Sequence, residues 1–342
     1  MLINLSADSI HNKKGGGCMI DLGKGRCISS IGVSSIMGHG GDGDWRIKVI
    51  SPEYRTFCQG VLETKTSIFT KSGTYLPWQG NWHDYNPFTW KKYVRDYKED
   101  SMLNAYGLTN RGAIINALKI RRAMEKGYKV IPNIYHQFFK GVDVAIAEAI
   151  ATIKLYQKVL GNYFWILENN ISCGNSKEKI SENMAQVIAL ARALRAAFPE
   201  LKFSYKINYD HPYELAEELD QQGLMDVCHS MNSILWERIK TIPDTSPMFG
   251  LKGVNGGGSF SGGEIFKPAF DYTKELRKRI KCPIAMAGGI SSFGHVTECI
   301  NEAIDIRTDS LIICTMVRRF TDCAISLVFK GALNPLLLNL SR

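Results

Sequence analysis

Apolar runs of four to eight residues recur along this chain, separated by longer stretches with helical spacing. The runs predict strands at Cys27–Val33, Val61–Thr66, 128–134, 163–171, 201–208, 224–229, 283–287 and 309–314. Between them, apolar positions three and four apart predict helices at Arg111–Lys126, 142–159, 178–197, 212–222, 271–280, 293–303 and 317–330. Continuous apolar strands are strands covered on both faces, and their alternation with amphipathic helices means a parallel sheet sheathed in helices. Eight such strand–helix units predict an α/β fold closed as a (β/α)8 TIM barrel, with an open doubly wound sheet as the alternative. No internal repeat or linker divides the chain, so one domain over 1–342 is expected. One stretch, 72–103, breaks the alternation after the second strand. It is expected to be irregular, and it holds Tyr75, Trp78, Trp82, Tyr85, Phe88, Trp90, Tyr93 and Tyr97 among basic residues. Such a stretch can stack on bases or bury itself as a lid or a contact between subunits. Its basic residues are mixed with acids, which favours the lid or contact.

A barrel carries its chemistry where the C-terminal ends of its strands meet. Lys65, Asn170, Lys206, Asn232, Gly288-Gly289 and Thr315 all fall at or just past predicted strand ends. Core packing alone would not put so many polar groups there.

The densest cluster is Asn170-Ile171-Ser172-Cys173-Gly174-Asn175. Amides fix a small polar ring through paired donors and acceptors, and a thiolate can take a proton from it. Cys173 could equally be a buried structural thiol, the commoner fate of a cysteine. Gly288-Gly289 precedes a helix, and Cys314-Thr315 ends the next strand. In this order the two sites suit a phosphate held by the loops after strands 7 and 8, against the alternative of two tight turns. Lys206 could neutralise an anionic oxygen or sit solvated at its strand end. Asn232-Ser233 suits a carbonyl or imide, or an Asx turn. The loop 256–263 could clamp a cofactor or be a surface linker. His136 and His229 are read as structural.

Composition narrows the class. The 342 residues are 45% hydrophobic and 22% charged, which suits a globular chain. The net charge of +9 is scattered, which suits anionic ligands and argues against nucleic acid. Nine cysteines show no Cys-x-x-Cys pair and no zinc spacing, so metal and iron–sulfur ligation are not expected. Reduced thiols, no apolar run near 18 residues and no signal-peptide core predict a soluble, cytoplasmic protein.

Together these segments resemble the dihydroorotate dehydrogenase family, most closely its class 1 branch with a cysteine base. The resemblance runs from about Lys65 to Thr315. Its marks are Thr64-Lys65-Thr66-Ser67, Asn104 with Gly107-Leu108-Thr109-Asn110, Asn170 to Asn175, Lys206, Asn232-Ser233, Gly262-Gly263 with Lys267-Pro268, Gly288-Gly289 and Thr315. It implies an FMN-dependent oxidoreductase converting dihydroorotate to orotate in pyrimidine biosynthesis. Lys65, Asn104, Asn170, Asn175, Asn232 and Ser233, with the backbone of Tyr106, Gly107 and Leu108, would hold the pyrimidine. Lys206, Gly262, Gly263, Gly288, Gly289, Cys314 and Thr315 would hold FMN, with Lys65 and Asn170 also touching it. Cys173 would remove the C5 proton while hydride passes from C6 to flavin N5. A soluble acceptor such as fumarate, a homodimer and no membrane are implied alongside.

Four departures stand out. Gly174 and Thr109 replace prolines, Cys314 stands where a glycine is usual, and the glycines at 38–43 do not match the family's Ala-Ser-Gly flavin contact. An FMN enzyme acting on another pyrimidine or imide, and a catalytically degenerate barrel that only binds, are the alternatives.

Overall fold

A computed structural model of the protein describes residues 18–81, 92–97, 101–172, 184–239, 245–254, 256–305 and 307–314. Its centre is a parallel sheet. In chain order its strands are β3 (Ile31–Ser34), β4 (Ser67–Phe69), β7 (Lys129–Ile131), β8 (Asn133–Tyr135), β9 (Ile166–Asn170), β10 (Lys202–Lys206), β11 (Val227–His229), β14 (Ile284–Met286) and β15 (Ser310–Ile313). The sheet closes through Pro132. β7 pairs with β4 on one side, Phe69 opposite Ile131, while β8 pairs with β9 on the other, Tyr135 opposite Asn170. Proline has no N–H to continue a ladder, and here it offers only its carbonyl, to Glu168 N at 2.8 Å. β7 and β8 are therefore one stave that changes partner at Pro132, and the nine segments make eight staves of a closed (β/α) barrel. The strands are buried along nearly their whole length, as their near-continuous apolar runs predict.

Most predicted strands and helices stand where the spacing puts them. The first predicted strand splits in two. Cys27–Ser29 (β2) forms an antiparallel hairpin with Cys18–Asp21 (β1), and only the residues from Ile31 enter the barrel. The second predicted strand is displaced. Val61, Leu62 and Glu63 are the last turn of the helix Pro52–Glu63, and the barrel strand begins at Ser67. The helix starts on a cap, with Ser51 Oγ accepting from Tyr54 N at 3.2 Å. It ends where the Thr64 hydroxyl donates back to the Gly60 carbonyl at 2.7 Å. A β-branched, apolar last turn reads locally like a strand, and burial of Val61 against the barrel decides otherwise. The predicted helix 317–330 lies outside the described residues.

The loops after β4 and β11 build a second, four-stranded antiparallel sheet on the mouth side of the barrel. It contains β5 (Val94–Tyr97), β6 (Ser101–Asn104), β12 (Ile234–Leu235) and β13 (Ser259–Gly262), in the order β12-β13-β6-β5. The stretch expected to be irregular thus contains two strands. Tyr97 meets Trp236 and Phe260 edge-on, with ring centroids 5.1 and 5.3 Å apart. Trp82, Tyr85, Phe88 and Trp90 lie outside the described residues. No helix among the described residues is long and apolar enough to cross a membrane.

Candidate active site

The mouth is built from side chains at successive strand ends. Asn170 closes β9, and its Nδ2 donates to Ser72 Oγ at 2.7 Å. Its Oδ1 accepts from Ser172 N at 3.2 Å and from Asn232 Nδ2 at 3.1 Å. Asn232, just past β11, also donates to the Ser172 hydroxyl at 3.1 Å and the Ser172 carbonyl at 3.2 Å. Asn232 Oδ1 accepts from Ser233 N at 2.9 Å, and the Ser233 carbonyl accepts from Asn208 Nδ2 at 3.1 Å. The two amides expected to grip a ring from separate strands therefore stand in hydrogen-bond contact, with Ser172 between them. Cys173, Gly174 and Asn175 follow directly and lie outside the described residues.

Asn104 ends β6 and donates through Nδ2 to the Ser259 carbonyl at 3.2 Å. The next turn carries Gly107 at φ 69° and Leu108 at φ 61°. A leucine in the left-handed region is strained. Asn110 holds it there, donating through Nδ2 to the Leu108 carbonyl at 2.8 Å and accepting at Oδ1 from Gly112 N at 2.9 Å. The Tyr106 carbonyl accepts from Asn81 N at 3.2 Å, which ties the turn to the loop after β4.

The lysines divide differently from the expectation. Lys65 precedes β4, at the barrel's opposite end, exposed, with its Nζ donating to the Gly127 carbonyl at 3.1 Å. The lysine at the mouth is Lys71, two residues past β4. Its Nζ stands 3.4 Å from the centroid of the Tyr106 ring, and its N–H donates to the Gly38 carbonyl at 3.1 Å. The glycine loop thus meets the lysine directly. Burial, with Lys71 and Lys119 nearby, pushes the His39 imidazole down to about 3, so no further positive charge competes there. The pattern Thr70-Lys71-Ser72 after Ser67-Ile68-Phe69 was available as a signal. Thr64-Lys65-Thr66-Ser67, six residues earlier, has the same look.

Inside the barrel, one layer below, lies a buried polar group that the sequence reading missed. Glu168 is wholly buried on β9. His229 Nδ1 lies 2.5 Å from its Oε1, and Asn133 Nδ2 donates to its Oε2. Burial alone would push the Glu168 carboxyl up, but His229, Lys206 and Asn133 together hold it below the usual range. Burial keeps the His229 imidazole low against the pull of Glu168, and Lys206 adds to that. The pair is therefore a carboxylate and a neutral imidazole donating from Nδ1. A glutamate inside an apolar run was the available sign, since a charge is almost never buried without partners.

Lys206 ends β10, between Asn170 of β9 and His229 of β11. It is buried, and its Nζ donates to Ser34 Oγ across the barrel at 3.4 Å. Gly288 and Gly289 follow β14 at φ 101° and 70°. A Cβ on Gly289 would come within 2.3 Å of Phe266 N, and one on Gly288 within 2.7 Å of the Ala269 Cβ. Backbone bare of side chains, a buried cation and a polar mouth fit a flat ring bearing a phosphate. Gly262, at φ 117°, and Gly263 join β13 to the helix Phe266–Arg279, which reaches the Gly289 turn. Cys314 is half-buried just past β15, and Thr315 lies outside the described residues. The described residues contain no group of three or more His, Cys, Asp or Glu side chains placed to hold a metal ion.

Closed parallel barrel and polar strand ends define a (β/α)8 protein with a candidate site at its mouth. The family model "Dihydroorotate dehydrogenase" matches residues 60–302, more than half of the chain. The chain belongs to the dihydroorotate dehydrogenase family, whose members are oxidoreductases. A ligand-free dihydroorotate dehydrogenase from Eimeria tenella has a similar structure, with TM-score 0.59 and 13% identity over 92% of this chain and 84% of that one. It supports the fold. A β-1,4-D-mannanase from Cryptopygus antarcticus aligns with TM-score 0.44 and 7% identity over 92% of this chain and 93% of that one, and carries no argument. No curated protein matches the chain.

Proposed function

We propose that this protein oxidises dihydroorotate to orotate with bound FMN. The observation that carries the reading is the contact of Asn170, Ser172 and Asn232 at the mouth, beside the buried Lys206. Three polar side chains from two strand ends offer donors and acceptors to one flat imide ring, and a missing partner there costs about 1–3 kcal/mol. Asn104 and the turn Tyr106–Leu108 would add further contacts from the mouth-side sheet, and Lys71, in place of Lys65, would supply the cation for a carboxylate.

FMN, when bound, supplies hydride acceptance at N5. Lys206 would face its ring, and Gly262, Gly263, Gly288, Gly289, Cys314 and Thr315 would line the rest, with the glycine turn at the phosphate. The chain's own part is to orient the pyrimidine and move one proton. Cys173, three residues past Asn170, is the group proposed to take the C5 proton. A soluble acceptor such as fumarate and a homodimer belong to the same proposal.

The decisive measurement is the absorbance spectrum of purified protein before and after anaerobic dihydroorotate. A flavin spectrum that bleaches is expected, with FMN released on heating; a colourless protein that takes up no FMN sinks the reading. Cys173→Ala is expected to slow bleaching by about a hundredfold or more while orotate still binds. Near-normal bleaching in that variant removes Cys173 from the role.

A further inference from the structure

Glu168 and Lys206 sit on neighbouring strands, both pointing into the barrel, on successive layers. Their positions are diagonal in the β9–β10 register, where Glu168 faces Ser204 and Lys206 faces Asn170. Diagonal neighbours are within reach of a long side chain. A buried carboxylate and a buried ammonium at that spacing would ordinarily close into an ion pair. Here no such pair forms among the described residues. The carboxylate is held from two sides, Oε1 by His229 at 2.5 Å and Oε2 by Asn133. Among the described residues the Lys206 ammonium has one long contact, the Ser34 hydroxyl at 3.4 Å. His229 is itself locked in place, its ring edge-on to Phe69 with centroids 5.1 Å apart.

We propose that His229 and Asn133 are positioning residues for Lys206: by holding both oxygens of Glu168 they fix that carboxylate out of ion-pair reach of the ammonium, which stays at the mouth to meet an electron-rich flavin ring. This rests on the reading that the barrel holds a flavin. The set holds one carboxylate against one ammonium, and such offset charges suit a buried position. Geometry, rather than a change of charge, decides which partner the lysine serves.

The consequence is a non-additive pattern. His229→Leu fills a similar volume but releases one side of the carboxylate, which can then swing toward Lys206 and close the ion pair. Apoprotein should then bind FMN about tenfold more weakly, the loss of about one charge-assisted hydrogen bond. Adding Glu168→Gln removes the competitor and should return the affinity to within about threefold of the parent. The readout is quenching of FMN fluorescence on titration with apoprotein, with melting temperature measured alongside. A second readout is the flavin midpoint potential. It should fall in His229→Leu, because the ammonium stabilises the reduced, electron-rich ring more than the oxidised one, and rise in Glu168→Gln alone. A parent apoprotein that does not quench FMN defeats the flavin reading and this proposal with it. A parent that quenches, with His229→Leu equally tight or the double variant no tighter than the single, overturns the positioning role and leaves the flavin reading standing. Should His229→Leu not fold, a potential in Glu168→Gln that is unchanged or lower overturns the proposal by itself.

Discussion

Lys65 and Lys71 lie six positions apart and at opposite ends of one barrel strand. Lys65 Nζ is spent on a backbone carbonyl at the far end of the barrel, while Lys71 stands over the Tyr106 ring at the mouth. Lys71→Ala is therefore expected to weaken orotate or FMN binding by about tenfold to a hundredfold, the loss of a contact from a charged group. Lys65→Ala should change either by less than about twofold, as an exposed lysine substitution does. Fluorescence and absorbance titrations of both variants check it, and equal losses would refute the assignment of the mouth to Lys71. At this scale the sequence carried residue type better than address. Asn170, Asn232 and Lys206 were legible because each closes an apolar run that survives as a strand. Lys65 was not, because its apparent strand is the end of a helix. The pair Glu168–His229 was hidden because each lies within an apolar run whose inward and outward positions alternate invisibly until the register is known.

Elements decide how the Gly288-Gly289 turn is made. The residues after β14 turn left-handed twice, and the helix Phe266–Arg279 comes so close that only glycine fits. At Gly289 a Cβ would meet backbone, Phe266 N at 2.3 Å and Cα at 2.4 Å, which no side-chain rotation relieves. Gly289→Ala is expected to cost about 1–3 kcal/mol from the positive φ alone, with the backbone clash added. The melting temperature should drop by several degrees, and FMN affinity should fall with it as the turn shifts. A variant of unchanged melting temperature would show that the helix yields freely. Here the sequence was informative, since Gly-Gly between an apolar run and a helix has few uses. The mouth-side sheet was not legible. Its strands pair Ser101–Asn104 with Ser259–Gly262, more than 150 residues apart, and local spacing holds no record of so distant a partner. The change of partner at Pro132 was equally silent, because a single apolar run, 128–134, feeds two pairings.

The molecule as a whole should be sensitive to acid, and buried histidines set the window. Burial pushes His136 and His211 each down to about 4. Both are about 2% exposed. His136 Nε2 is 2.9 Å from Asn169 Oδ1, and His211 Nδ1 accepts from Asn208 N at 3.2 Å. These contacts hold the neutral rings between staves and loops at the mouth end. Unfolded, each would titrate near roughly 6.5. The unfolded chain thus binds more protons between about 6.5 and 4, and stability falls as pH falls through that window. Above about 6.5 both rings are neutral in either state, and nothing is lost. From pH 7 to pH 5 each ring should cost roughly 2 kcal/mol, at about 1.4 kcal/mol per unit once the unfolded ring is protonated. Urea unfolding at pH 7, 6 and 5 would register this as a falling midpoint with little change of slope. In His136→Gln, which keeps a donor toward Asn169 but cannot be protonated, the fall from pH 7 to pH 5 should be smaller by that ring's share of roughly 2 kcal/mol. The same pH dependence in that variant as in the parent would place the acid sensitivity outside His136.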